Sequence, residues 1–119
     1  MLNVNGAFHS KLMQEAQQKM ILEISNHQIL STTVPVIMNV SAMPTTSAFE
    51  VKDNLQNQIT HSVRWRETMN FALNNKLEIV EIGTGNVLSN LAKRANYPFN
   101  ITNISDADSL NKFLTNYSQ

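Results

Sequence analysis

His9 is the residue whose type and position in this chain are best suited to chemistry. It follows a short apolar run at residues 2–4 and a glycine, Gly6, and an amphipathic segment begins directly after it. Junctions between a strand and a helix are where α/β proteins place working side chains. Imidazole titrates near neutral pH, so it can take up a proton and return it. Spacing alone still favours a capping or half-buried histidine at this position.

Other residue types that support catalysis or metal binding are dispersed. His27 and His61 stand apart from each other and from any cluster of carboxylates, so the sequence predicts no metal site. The chain has no cysteine, which excludes disulfides and a thiol nucleophile. The segment Gly83-Thr84-Gly85-Asn86 lacks the rest of a nucleotide-binding motif and is interpreted as a tight turn between a strand and a helix.

The charge and hydropathy of the chain argue against several classes of protein. Nine basic and nine acidic residues cancel, and only 15% of the 119 residues are charged. A neutral chain of this kind argues against a nucleic-acid or an anionic-membrane partner. No apolar run approaches the roughly 20 residues of a membrane span, and the N-terminus does not resemble a signal peptide. We expect a soluble, cytoplasmic protein that forms one domain or part of one.

Four stretches have the composition of strands: residues 2–5, 32–40, 77–82 and 99–104. The second is a near-continuous apolar run, which is typical of a strand in a parallel sheet covered on both faces. A turn containing Pro44 should follow it over residues 42–46. Helical patterns lie between the strands, and this alternation predicts an α/β layered sheet.

Five helices are predicted from apolar residues that recur at helical spacing. They cover residues 10–26, 47–58, 64–75 and 87–94, and a last segment that residues 105–108 cap and that continues through Leu114. Ser10 is expected to cap the first helix. Ser47 and Glu50 should form a reciprocal capping box at the second. Trp65 is interpreted as a core anchor of the third rather than as a residue that stacks on a ligand.

Five motifs carry a resemblance to a known family. Gly6-Ala7-Phe8-His9-Ser10, followed by Leu12-Met13, resembles the histidine motif of malonyl-CoA:acyl-carrier-protein transacylases. Further matches, in the same order, are Val34-Pro35-Val36 with Asn39-Val40, Gln58-Ile59-Thr60, Val63-Arg64-Trp65 and Glu81 through Ser89, and Lys93-Arg94 ends the match. The similarity is strongest over residues 2–94. It implies that residues 1–119 form a C-terminal segment of an acyltransferase domain. Its fold would be the C-terminal part of the α/β-hydrolase-like large subdomain, with an incomplete parallel sheet flanked by helices.

The resemblance also implies roles for three residues. His9 matches the catalytic histidine, and Gln58 matches the glutamine whose backbone carbonyl orients that histidine. Phe8 matches a residue associated with malonyl rather than methylmalonyl selectivity, since methylmalonyl enzymes usually carry serine there. The implied substrate is malonyl-CoA, the implied partner is acyl carrier protein, and no cofactor is expected.

The family's nucleophile has no counterpart in this sequence. The chain contains no Gly-x-Ser-x-Gly, and its only glycines are Gly6, Gly83 and Gly85. The family's substrate-binding arginine and oxyanion-hole segment would also lie upstream. Smaller departures are Gly83-Thr84-Gly85-Asn86 in place of Gly-Pro-Gly-Lys, and Lys11 in place of a frequent proline.

Two classes of function follow. The chain is either an enzyme segment, inactive alone and dependent on a complementary N-terminal segment that carries the serine, or a non-catalytic remnant or interaction module from a broken or split gene.

Overall fold

A computed structural model describes residues 6–98 and 100–117. The chain forms two compact units, Met1–Thr68 and Met69–Gln119. The strand predicted at residues 2–5 lies outside the described residues. No helix of the described part is both long enough and apolar enough to cross a membrane.

Helices dominate the first unit. A 3₁₀ turn, Lys11–Met13, leads into α1, Gln14–Ser25, and α2 covers Ala48–Asn57. Helix α3, Trp65–Asn74, begins in this unit and ends in the second. Helix α1 is tied to the end of α2, since the Gln17 side-chain amide donates to the Gln56 carbonyl at 2.9 Å. These bounds agree with the helices predicted from the sequence.

The predicted caps are confirmed only in part. Ser10 does not cap a helix, because its hydroxyl donates instead to the Ala7 carbonyl at 2.6 Å. Ser47 does cap α2 by accepting from the Glu50 N–H at 3.4 Å. The reciprocal half of that box is wrong, because the Ser47 N–H donates to Thr45 Oγ1 at 3.0 Å.

The prediction of a long parallel strand at residues 32–40 was wrong. The structure has a two-residue strand, β1 (Val36–Ile37), which pairs antiparallel with β2 (Pro44–Thr45). The chain reverses just before β2: Ala42 has a φ of 52°, and its N–H donates to the Met38 carbonyl at 2.9 Å. The local turn therefore forms hydrogen bonds with backbone groups that, in a longer strand, would have paired with a distant strand.

The second unit is a βαβ arrangement followed by a helix. Strand β3, Ile79–Ile82, pairs in parallel with β4, Ile101–Ile104, and α4, Val87–Arg94, connects them. Helix α5, Ala107–Tyr117, packs on β4. The predicted parallel pairing is confirmed between these two strands, although Phe99 lies outside the described residues. The expected cap of α5 is present, since Asp106 Oδ1 accepts from the Ser109 N–H at 2.8 Å.

The described residues bury little apolar surface. The buried apolar side chains are those of Ala42, Val51, Met69, Ala72, Ala92 and Ile104. Large apolar side chains elsewhere remain open to solvent, with Phe49 and Ile82 each 80% exposed. Trp65, the expected core anchor, is only half-buried, and its indole Nε1 is buried without a hydrogen-bond partner among the described residues.

Glu81 joins β3 to the start of α4. Its carboxylate accepts from the backbone N–H groups of Leu88 and Ser89, at 2.9 and 3.0 Å, and from the Ser89 hydroxyl. The Ser89 hydroxyl bond, and then these backbone donors, lower the pKa of Glu81. The first N–H groups of a helix lack intrahelical acceptors, so a strand residue here takes the place of a local cap.

We expect Glu81→Gln to lower the thermal midpoint at neutral pH. Because the pKa of Glu81 is lowered in the folded state, its contribution is present above the ordinary glutamate pKa and is lost as the pH falls through the lowered pKa. The difference from wild type should therefore shrink on acidification. Melting curves over a pH series measure it, with Glu50→Gln in the first turn of α2 as the control. A difference that grows at acidic pH would contradict this reading.

Candidate functional site

His9 lies two residues before the first helical turn, in a backbone conformation that is rare for a residue with a side chain. Its φ is 62°, in the left-handed region. Its N–H donates to the Ile59 carbonyl at 2.9 Å, which ties it to the chain that leaves α2. Strained backbone of this kind is concentrated at functional sites, where surrounding contacts maintain it.

Two backbone carbonyls face one nitrogen of the His9 ring. Nδ1 lies 2.8 Å from the Gln58 oxygen and 3.2 Å from the His61 oxygen. Carbonyl oxygens only accept hydrogen bonds, so Nδ1 must carry the proton and Nε2 keeps its lone pair in the neutral ring. The predicted contact between His9 and the Gln58 carbonyl is confirmed. The ring is thereby held in the tautomer that a general base requires.

Gly6 lies in close contact with the ring of Phe8. A Cβ on Gly6 would lie 2.7 Å from Cε2 and 2.9 Å from Cδ2 of the Phe8 ring. The ring therefore lies against the glycine backbone. It is still 62% exposed, so its outer face is available for contacts beyond the described residues.

A cavity of about 370 Å³ adjoins His61, one of the two residues whose carbonyls face His9. It is lined by Lys11, Gln14, Gln17, Thr60 and His61. No group of three or more histidine, cysteine, aspartate or glutamate side chains in the described ranges is arranged to hold a metal ion.

Sequence reasoning missed the carbonyls of Ile59 and His61 as partners of His9. Both are backbone groups, and their position depends on how the chain turns after α2 rather than on side-chain type. The only signal was proximity, since both lie within three positions of Gln58.

Comparison with known proteins shows which proteins this chain resembles. No family model matches the chain. It is 40% identical over 111 residues to the malonyl CoA-acyl carrier protein transacylase of Synechocystis sp.. This alignment covers 92% of the chain and 38% of the relative. The chain is a homologue of part of the malonyl-CoA:acyl carrier protein transacylases.

Solved structures of these transacylases agree with the fold. The acyl-carrier-protein S-malonyltransferase of Bartonella henselae superposes with a TM-score of 0.88 at 33% identity, covering 99% of this chain and 38% of that one. A malonyl-transacylase solved in complex with a type II PKS acyl-carrier protein gives a TM-score of 0.87 at 30% identity, covering 97% of this chain and 38% of that one. The expected α/β acyltransferase fold is therefore confirmed. The chain spans between 31% and 38% of the length of the curated transacylases it matches.

Proposed function

We propose that this chain supplies the histidine part of a malonyl-CoA:acyl carrier protein transacylase site. The observation that supports this most strongly is the His9 Nδ1 contact with the Gln58 carbonyl, at 2.8 Å, in a chain homologous to these enzymes. His9 acts as the proton shuttle and the Gln58 carbonyl orients it. The nucleophilic serine belongs to a complementary segment, which the resemblance places upstream.

The proposed reaction is a two-step acyl transfer. His9 Nε2 takes the proton of the serine hydroxyl as its oxygen attacks the thioester carbonyl of malonyl-CoA. The carbon–sulfur bond breaks, His9 returns the proton to the CoA thiolate, and the malonyl group is left as a serine ester. The thiol of the carrier protein then gives its proton to His9 and attacks the ester, and the serine regains a proton. Protons and electrons balance without a cofactor.

The carbonyls at Nδ1 have a defined role in this scheme. Each step places a positive charge on the ring for a moment, while the Nδ1–H remains bonded to the oxygens of Gln58 and His61. In Ser-His-Asp enzymes a carboxylate fills this position. A neutral carbonyl supplies the same orientation through a fixed dipole.

The test is reconstitution. The complementary segment is the part of the Synechocystis transacylase that this chain does not match. Transfer from malonyl-CoA to holo acyl carrier protein is measured with the chain alone, with the segment alone, and with both. We expect turnover only with both. Clear turnover by the chain alone, or a segment that binds the chain without any transfer, contradicts the proposal, and the latter result favours the non-catalytic interaction module.

We also propose that the protein is located in the cytoplasm. The sequence-based expectation of a cytoplasmic protein is tested by fractionating cells that express a tagged chain. Recovery of the chain in the membrane or secreted fraction contradicts it.

Phe8→Ser should relax acyl selectivity in the reconstituted enzyme. The Phe8 ring, held against Gly6, would occupy the space that a methyl branch on the acyl group needs. One methyl group in an apolar pocket changes relative kcat/KM by roughly 10- to 200-fold. We expect the ratio of methylmalonyl to malonyl transfer to rise by about tenfold, measured in competition. Phe49→Ser, at another exposed phenylalanine, is the control, and an unchanged ratio in Phe8→Ser would contradict the assignment.

A further inference from the structure

The carbonyl of Asn57 accepts the hydrogen bonds that close the turn after α2. It accepts from the backbone N–H groups of Thr60 and His61, both at 3.2 Å. The ring of His61 adds a shorter contact, with Nδ1 at 2.9 Å from the same oxygen. Since a carbonyl only accepts, this His61 nitrogen carries the proton. The ring therefore closes the turn whose carbonyls face His9.

We propose that His61 is a positioning residue for His9. Its ring, bonded to the Asn57 carbonyl, holds the turn in the conformation in which the oxygens of Gln58 and His61 both face His9 Nδ1. The consequence for catalysis rests on the proposed function. The consequence for the His9 tautomer does not, because it depends only on the two carbonyls.

The lengths of the contacts show why the ring matters. Hydrogen bonds from N–H to oxygen are most frequent at about 2.9–3.0 Å, so the two backbone bonds to Asn57 are long. The ring supplies the shortest contact at that oxygen. Without it, the Asn57 carbonyl would keep only three contacts of 3.2 Å, from the N–H groups of Thr60 and His61 and from the Thr60 hydroxyl. The His9 N–H would still hold the Ile59 carbonyl, so we expect the directions of the Gln58 and His61 carbonyls to become less fixed rather than the turn to open.

The chain itself offers a matched control. His27 makes the same contact at the end of α1, with Nδ1 2.9 Å from the carbonyl of Glu23, four residues earlier. Both histidines are exposed and both follow a helix. The His9 ring contacts the turn that contains His61, so only His61 should influence its tautomer.

A conservative variant is also available. Asparagine side chains in this chain donate to the carbonyl four residues earlier, as Asn75 does to Phe71 at 2.8 Å just after α3 and Asn57 does to Asp53 at 2.9 Å. His61→Asn should therefore keep the donor to the Asn57 carbonyl. His61→Leu has a similar volume and no donor, and position 61 is exposed enough to accept either side chain.

The experiment reads the tautomer of His9 directly. The chain is labelled with ¹⁵N, and long-range ¹H–¹⁵N correlation spectra distinguish Nδ1–H from Nε2–H in each ring at slightly alkaline pH. Spectra are recorded for the chain alone and with the unlabelled complementary segment. We expect His9 to be mainly in the Nδ1–H form in the wild type, in His61→Asn and in His27→Leu. In His61→Leu the ratio of Nδ1–H to Nε2–H should fall by about two- to tenfold, the effect of losing one hydrogen bond.

Each outcome decides the proposal. An unchanged His9 ratio in a folded His61→Leu overturns it, as does a comparable fall in His27→Leu. If His61→Leu does not fold, the decision passes to His61→Asn, in which a folded protein that loses the Nδ1–H form overturns the proposal. In the transfer assay, His61→Leu should lower kcat with little change in KM, and His61→Asn should restore it. Absence of transfer in every form contradicts the proposed function and leaves the tautomer result standing.

Discussion

His9→Ala should reduce malonyl transfer in the reconstituted enzyme by about 10²- to 10⁴-fold, the range that general acid–base catalysis contributes. The ring lies where two carbonyls fix its tautomer, and in the proposed mechanism it is the group that moves the proton in both half-reactions. Because the proposed mechanism has His9 act in the transition state, kcat should fall while KM for malonyl-CoA changes little. Steady-state rates with varied malonyl-CoA measure both quantities.

Two controls accompany this variant. His27→Ala removes an exposed histidine outside the site and should leave transfer unchanged. Gln58→Ala removes the side chain but keeps the carbonyl that accepts from His9, so we expect a loss of no more than about threefold, equivalent to roughly half of one net hydrogen bond. If His9→Ala transfers normally, or if Gln58→Ala is as damaging as His9→Ala, the assignment of roles is wrong.

The chain alone should be marginally stable and prone to associate, and the complementary segment should stabilise it. Large apolar side chains such as Phe49 and Ile82 are exposed, and the relatives are more than twice as long as the part that this chain matches. A segment that binds only the folded chain raises the free energy of unfolding by about 2.7 kcal/mol at a hundred times its dissociation constant. Denaturant unfolding with and without the segment measures this gain, and size-exclusion chromatography reports association.

Ile82 and Ile104 provide a matched pair for this test. They are partners in the register of β3 and β4, but Ile82 is 80% exposed and Ile104 only 8%. Ile104→Ser should destabilise the chain itself, by about 2–4 kcal/mol, through loss of a buried apolar group. Ile82→Ser should change the stability of the chain by less than about 0.5 kcal/mol and reduce the gain from the segment. Equal gains for wild type and Ile82→Ser would show that this face is not covered by the segment.

The second half of the fold was predictable because its patterns are local. Strand β3 follows from the alternating pattern of residues 77–82, which ends at Gly83, and α4 follows from the helix predicted over residues 87–94. The cap that Glu81 provides across the turn was not predictable, since it depends on a strand residue reaching the backbone of a helix seven positions later. No local propensity specifies that contact.

Residues 32–45 show the opposite case. An apolar run predicts a buried strand but not its partner, and here the chain turns at Ala42 and pairs with its own continuation. Alanine carries no sequence signal for the left-handed conformation that this turn requires. Both the predicted length of the strand and its predicted parallel pairing are therefore wrong.

The histidine motif led to the candidate site, but it predicted only part of the site's geometry. The resemblance led to His9 and to the Gln58 carbonyl, and the structure confirms that these groups meet. From the sequence, His61 was considered only as a metal ligand, and its ring was given no role. Its hydrogen bond to the Asn57 carbonyl depends on a turn of five residues whose conformation the sequence does not specify.

The most direct test of the central claim is to locate the malonyl group in a single turnover. The chain and the complementary segment are mixed with malonyl-CoA in the absence of carrier protein. The masses of both polypeptides are then measured by mass spectrometry, and the release of CoA is followed in parallel. We predict that the malonyl mass is added to the segment and not to this chain, and that its rate falls by at least about 10²-fold with His9→Ala. Malonyl attached to a serine of this chain, or equal rates with and without His9, would contradict the account.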